Sequence, residues 1–396
     1  MKTDYLIVGS GLFGSVLAER IATQLDKKVL VLERRQHVGG NCFSEVDPAT
    51  GIEFHTYGTH VFHTSNPEVH QYLSRFTTLN GYRHQVLARH GGRLHRFPFN
   101  LETINSFFGR DFSPSEAEAF ISSEIAREGF TEPRNLEEKA ISMVGRGLYE
   151  AFVRDYTRKQ WGRDPVELPP GIIARIPVKY NYSLDYFNHC RWQGIPDEGY
   201  AKLFDRLLSH PNIRVESGVD FFGSRSAVQV REKTIYTGPI DRFFDFAEGP
   251  LEWRSVRFEK QVMPVRDFQG IAVLNHVDRE PPQTRTHEPR HLHPERKYSE
   301  HRTLILREFS EASSSSPSSS RAPGLGEPSY PIRSASNLAV LARYRKLAAD
   351  EGDMVFGGRL GDYAYYDMDM TIAAALAQFA RLARTLRGAP ELSDAA

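Results

Sequence analysis

Gly9-Ser10-Gly11-Leu12-Phe13-Gly14 stands between an apolar run, Tyr5-Leu6-Ile7-Val8, and a segment of helical spacing from Ser15 to Ala22. A second apolar run, Val29 to Leu32, ends in Glu33, 19 residues after Gly14. Glycines at the first, third and sixth places of a strand-to-helix turn do separate jobs. Gly9 permits the tight turn, Gly11 lets a pyrophosphate approach the backbone, and Gly14 lets helix and strand pack closely. The helix N-terminus supplies free N–H groups and a dipole that favours an anion. Glu33 is placed to accept hydrogen bonds from a ribose. The expected chemistry is dinucleotide binding. The same stretch read as a signal peptide is weakened by Asp4 and by the glycines and serines inside the apolar run.

A second glycine pair, Gly39-Gly40-Asn41, follows the acidic strand end. A nicotinamide enzyme does not need it, whereas flavoproteins of the large oxidase and reductase superfamily carry such a pair where the cofactor passes. Near the other end, Met354-Val355-Phe356-Gly357-Gly358-Arg359-Leu360-Gly361 reads as a further strand ending in glycines, and Asp367-Met368-Asp369-Met370 leads to a helix beginning near Thr371. Ile372, Leu376, Phe379 and Leu382 give that helix one apolar face. Its N-terminal dipole would face the pyrimidine end of a reduced, anionic flavin. Both ends of the chain are thus expected to build one FAD-binding domain.

From this point the residues resemble those of bacterial UDP-galactopyranose mutases, from Met1 to about residue 385. The matching stretches are Gly58-Thr59-His60-Val61-Phe62-His63-Thr64, Phe97-Pro98-Phe99-Asn100, Leu148-Tyr149-Glu150-Ala151-Phe152, Tyr156-Thr157-Arg158-Lys159-Gln160-Trp161 and Ile176-Pro177-Val178. They continue with Thr237-Gly238-Pro239-Ile240-Asp241, Tyr330-Pro331-Ile332-Arg333, Gly358-Arg359-Leu360-Gly361 and Tyr365-Tyr366-Asp367-Met368-Asp369. The resemblance implies reversible conversion of UDP-galactopyranose into UDP-galactofuranose with no net redox change. In the implied mechanism N5 of reduced FAD attacks the anomeric carbon, UDP leaves, an iminium forms, and the sugar ring opens and recloses.

The departing diphosphate calls for fixed cations, and the planar fork of arginine suits phosphate better than lysine does. By resemblance the pair is Arg175 and Arg285. Arg175 follows the proline- and glycine-rich stretch Leu168-Pro169-Pro170-Gly171, a candidate flap, and Arg285 follows Pro282-Gln283-Thr284 where relatives usually carry Pro-Tyr-Thr. His60 is the family position that faces the flavin. Phe152, Tyr156, Thr157 and Trp161 are expected to hold the uridine, the first two on one helical face at i and i+4. Tyr186, Tyr330 and Tyr365 are expected on the diphosphate, Asp367 on a sugar hydroxyl or as a helix cap, and Asn80 on the substrate. Cofactor contacts are assigned to Gly9, Gly11, Phe13, Gly14, Glu33, Gly40, Asn41, His60, Phe221, Arg359 and Met368.

The elements that must position these residues are read as an α/β fold in three parts. A discontinuous Rossmann-like FAD-binding domain takes residues 1–80, 200–240 and 335–390. A helical uridine-binding domain takes 100–160, and an antiparallel β-sheet domain takes 81–99, 165–199 and 241–334, with a serine-rich loop at 311–328. The chain has 396 residues, too many for one core. Its 50 Lys+Arg match 50 Asp+Glu, a balance that argues against nucleic acid as a partner. Two cysteines make no disulfide framework, which points to the cytoplasm, and no stretch is long and apolar enough to span a membrane. His55, His60, His63 and His70, and His287, His291 and His293, raise a metal reading, but without cysteine partners or a ligand motif none is expected. Relatives imply a homodimer. The alternatives are an FAD-dependent oxidoreductase of the amine oxidase type and a flavin-free lipid-escort protein of the GDI kind on the same fold. Gly11→Val is expected to abolish tight flavin binding, scored by the yellow absorbance of the purified protein; a variant that keeps its flavin contradicts the pyrophosphate contact.

Overall fold

The computed structural model describes residues 1–173, 178–187, 190–313 and 326–386. The fold is α/β. Five parallel strands form one sheet in the order Met354–Phe356, Gln229–Tyr236, Lys2–Val8, Val29–Glu33, Ile213–Ser217. Strands from both ends of the chain and from its middle therefore meet in one layer. All five residues of Val29–Glu33 are buried, as expected for a strand covered on both faces. The helix Leu12–Gln24 packs on this sheet and against the long helix Met368–Leu386, with Val16, Leu17 and Ile21 meeting Ile372, Ala375 and Leu382 in one core.

Seven strands form the second sheet, in the order Tyr330–Pro331, Trp253–Met263, Thr303–Ala312, Arg285–His287, Val273–His276, Val86–His90, Arg93–Phe97. Its neighbours run antiparallel except Val86–His90 and Val273–His276, which run parallel. Successive side chains of a strand point to opposite faces. The register Arg285 to Glu308, Thr286 to Arg307 and His287 to Leu306 thus alternates two chemistries across the middle of the sheet.

Between the sheets in sequence lie the helices Leu101–Phe108, Pro114–Glu128 and Leu136–Leu148. Each begins with a side-chain cap: Asn100 accepts from Thr103 N, Ser113 and Glu116 form a reciprocal box with Pro114 at the first helical position, and Asn135 accepts from Glu138 N. A wide π-helical turn, Tyr149–Arg154, then leads into Asp155–Trp161.

The first glycine turn is under tight steric control. A Cβ on Gly14 would lie 2.1 Å from the Gly9 carbonyl oxygen and 3.1 Å from Ile7 Cγ2. Gly14→Ala is therefore expected to lower stability by about 2 kcal/mol, the usual cost of overpacking, measured as a drop in thermal midpoint; an unchanged midpoint contradicts the close helix–strand contact.

Candidate functional site

The dinucleotide motif folds as a cradle of two touching turns. Gly9 has φ +104° and sits against Thr237, whose Oγ1 lies 2.2 Å from where a Cβ would be. Gly40, at φ +56°, leaves its imagined Cβ 2.9 Å from Gly11 Cα, and Gly39 N donates to Ser10 O at 3.0 Å. By contrast a Cβ on Gly11 would meet nothing nearer than Gly40 Cα at 3.9 Å. Gly11 thus caps the helix beside open space, where a ligand can reach the backbone. Glu33 is buried and steadies the turn, its Oε2 accepting from Ser10 N at 2.9 Å and Ser10 Oγ at 2.7 Å. Asn41 Oδ1 accepts from Arg35 at 2.9 Å. Phe13 is held against the distant pair Gly357 and Gly358, where a Cβ would come within 2.4 Å and 3.2 Å of its ring and Cβ respectively. The donor set and the cleared backbone fit a dinucleotide cofactor. Met368 begins the helix beyond it, and the Asp367 carbonyl accepts from Thr371 N at 2.9 Å in the first turn.

From Gly358 the wall turns towards the second sheet through Arg359. Its guanidinium donates to Ser329 O at 3.2 Å and to Tyr366 O, and lies 5.9 Å and 5.4 Å from the ring centres of Tyr330 and Tyr365. Those two rings stack at 5.8 Å. Arg285 follows, with Cζ 5.9 Å from the Tyr156 ring. Tyr156, Tyr186, Tyr330 and Glu308 all act electrostatically on Arg285, so the expected arginine and three of the expected aromatics share one locality. The Tyr156 hydroxyl is buried with no hydrogen-bond partner among the described residues. A buried hydroxyl of that kind is satisfied by a ligand or water.

Arg285 is held by a chain of buried groups that the sequence reading did not assign. Its Nη1 donates to Glu308 Oε1 at 3.5 Å, Thr284 Oγ1 donates to the same oxygen at 3.1 Å, and His287 Nε2 bonds Glu308 Oε2 at 3.0 Å. His287 Nδ1 then meets Thr59 Oγ1 at 2.8 Å, so the chain ends beside His60. His287 and Glu308 are each 2% exposed. Lys159 was also missed: its Nζ donates to the carbonyls of His276, Pro281 and Gln283 at 2.6, 3.0 and 3.1 Å, tying the Tyr156 helix to the loop before Arg285. Periodicity carries no trace of either device. The only signals were the isolated polar letters inside strand-like runs.

His60 is half-buried, and its Nδ1 bonds Gly58 O at 2.6 Å, so that nitrogen carries the hydrogen and Nε2 is left as an acceptor. Burial, aided by the nearby Arg359 charge, pushes the His60 imidazole down to about 4, so it is neutral at pH 7.

Phe152, Phe221 and Asn80 have packing or hydrogen-bond partners within the protein. Phe152 is 1% exposed and packs with Phe99, Phe107, His90 and His95 in the helical core. Tyr156, one turn further on, packs against the edge of the same cluster and turns its ring to Arg285. The Phe221 ring belongs to an aromatic cluster with Phe222, Tyr236 and Phe243 beside the first sheet. Asn80 knits backbone, donating to Leu292 O and accepting from Ile195 N and Tyr82 N. Thr157 is buried and Trp161 half-buried at the end of their helix. Arg175 and most of the serine-rich segment lie outside the described residues. Of the histidines weighed for metal, His291 lies with Asp267 and Glu288, but the Glu288 carboxylate is already taken by Phe268 N, Gln269 N and Thr303 Oγ1.

Burial alone would raise the Glu308 carboxyl, but Arg285 and His287 overcome it and bring it from 4.5 down to about 2. A depressed folded value means stability that is present above about 4.5 and lost as pH falls towards 2. Glu308→Gln is therefore expected to be about 3 kcal/mol less stable than the parent at pH 7, with the gap closing as pH drops below 4.5. Thermal midpoints across that range measure it, and a pH-independent gap contradicts the ion pair.

Comparison with known proteins agrees with this geometry. The family model for UDP-galactopyranose mutase matches residues 151–365, more than half of the chain, and an NAD(P)-binding Rossmann-like domain matches residues 7–76. A Klebsiella pneumoniae protein named "Probable UDP-galactopyranose mutase" is 38% identical over 94% of this chain and 93% of its own. An Escherichia coli dTDP-fucopyranose mutase is 36% identical, covering 94% of this chain and 96% of its own. The crystal structure of a reduced UDP-galactopyranose mutase shares the fold with TM-score 0.73 at 16% identity, over 98% of this chain and 96% of that one. The cradle, the tyrosine-flanked arginine and relatives aligned along nearly its full length lead to one conclusion: the chain is an enzyme of the UDP-galactopyranose mutase family.

Proposed function

We propose that the chain interconverts UDP-galactopyranose and UDP-galactofuranose, using FAD in its reduced form. The observation that carries the reading is Arg285, a half-buried cation set among Tyr156, Tyr186 and Tyr330 and anchored by Glu308, in a family defined on sugar-nucleotide mutases. The cofactor supplies a nucleophile at N5 for the anomeric carbon. Everything else falls to the chain's own groups. Arg285 neutralises the diphosphate as its bond to the sugar weakens, and its anchored guanidinium has no reorganisation left to make. The orphaned Tyr156 hydroxyl gives one hydrogen bond to the substrate. His60 offers an acceptor nitrogen on the cofactor side. Arg175 is assigned the second phosphate contact, with Thr157 and Trp161 on the uridine and Asp367 on a sugar hydroxyl.

The division into a cofactor domain, a helical uridine domain and a sheet domain belongs to this proposal, as do a homodimer and a cytoplasmic location. Both cysteines are free, and among the described residues no helix is long and apolar enough to cross a membrane. A second substrate reading rests on the relative named for dTDP-fucopyranose, which is nearly as similar as the one named for UDP-galactopyranose.

Chemically reduced, flavin-loaded enzyme is expected to convert UDP-galactopyranose for many cycles without consuming oxygen or pyridine nucleotide. Arg285→Ala is expected to lower kcat about 10²- to 10³-fold, the effect of removing one preorganised donor, with the flavin spectrum unchanged. Product chromatography reads both. Stoichiometric oxidant use favours the oxidoreductase reading, and a higher kcat/KM for dTDP-fucopyranose favours the second substrate.

A further inference from the structure

The face of the seven-stranded sheet that points away from Arg285 carries a cleft of about 400 Å³. The strand alternation builds it. Leu87, Leu274, Thr286 and Arg307 stand in register across four neighbouring strands, and Arg89 with His276 forms the next row. Gln283 and the exposed ring of Phe268 complete the lining. The volume lies in the range that takes small organic ligands.

The charge pattern of this cleft is one-sided. Among the described residues neither Arg89 nor Arg307 has a carboxylate partner. The acids nearest in register are otherwise engaged: Glu259, opposite Arg307, is bonded by Arg257 at 2.7 Å. Asp278, beyond His276, is held by His90 Nδ1 at 2.6 Å and Gly91 N at 2.9 Å. His276 is buried, with Nε2 bonded to Thr286 Oγ1 at 2.7 Å, and burial plus the positive field of Lys159, Arg89 and Arg307 keeps it uncharged at neutral pH. Two guanidinium groups over an apolar floor, with side-chain amide and hydroxyl groups between them, suit a ligand that is anionic at one end and ring-like at the other.

We propose that this cleft is a second ligand site, distinct from the one around Arg285, and that it takes an organic phosphate of nucleotide size, its phosphate on Arg89 and Arg307 and its ring against Leu274 and Phe268. The floor strand alternates Arg285 on one face with Thr286 on the other, and Gln283 shares its carbonyl with Lys159 on the Tyr156 helix. Ligand in the cleft and the position of Arg285 are therefore linked through one short segment of backbone.

The test uses full-length protein saturated with FAD and UDP, so that the nucleotide sites of the proposed reaction are filled, with ADP as the probe. Hydrogen exchange read by mass spectrometry is expected to show ADP-dependent protection of segments 86–97 and 264–276. Arg89→Ser and Arg307→Ser are each expected to weaken ADP binding about tenfold, as loss of one charge-assisted contact does, while turnover without ADP stays at the parental rate. Absence of protection, or protection that survives the double variant, overturns the proposal. So does protection that rises with protein concentration and ignores ADP, since a second copy of the chain would then cover the cleft. Binding data without UDP separate this result from failure of the functional reading, because the cleft lies on the face of the sheet opposite Arg285.

Discussion

Even partial removal of a guanidinium from water costs free energy unless its charge is met, and the site is organised around meeting that cost for Arg285, whose side chain is 30% exposed. Glu308 meets it in a geometry set by sheet register, since Arg285 and Glu308 are direct partners on adjacent antiparallel strands. Glu308 is itself buried and needs donors, which come from Thr284 and His287. His287 in turn reaches Thr59, in the turn that carries His60. A cation suited to a phosphate is thus connected by hydrogen bonds to Thr59, the chain neighbour of His60. A partly satisfied network of this kind would destabilise the sheet, so its members stand or fall together.

The other half of the site depends on closeness of backbone. Gly11 and Gly40 approach until no side chain fits on Gly40, and Phe13 fills the space that Gly357 and Gly358 leave. Residues more than three hundred positions apart therefore form one wall. Parallel pairing explains why such distant segments are needed: a parallel strand cannot be reached by a tight hairpin, and the crossovers carry the chain out to the helices and the second sheet and back.

Much of this was legible in the amino-acid order. The buried strands Lys2–Val8 and Val29–Glu33 and the glycine turn between them follow from local rules of period and turn. So did the terminal strand Met354–Phe356 and the helix after it. What was not legible depended on phase and on pairing across long separations. Phe152 and Tyr156 stand at i and i+4 in one cluster, and the letters do not say that the first is sealed among other rings while the second faces Arg285. Glu308 and His287 acquire their meaning from a register between strands some twenty residues apart. The partners of Phe221 and Asn80 show the same limit, since the letters do not announce a ring packed in a core or an amide knitting backbone.

The most direct examination of the central claim is a crystal structure of the reduced, FAD-loaded enzyme with UDP-galactopyranose. A non-bridging diphosphate oxygen is expected within hydrogen-bond distance of Arg285, with Glu308 still bonded to that arginine and the sugar lying between it and the flavin ring. A substrate diphosphate bound elsewhere, with Arg285 facing only protein, would contradict it.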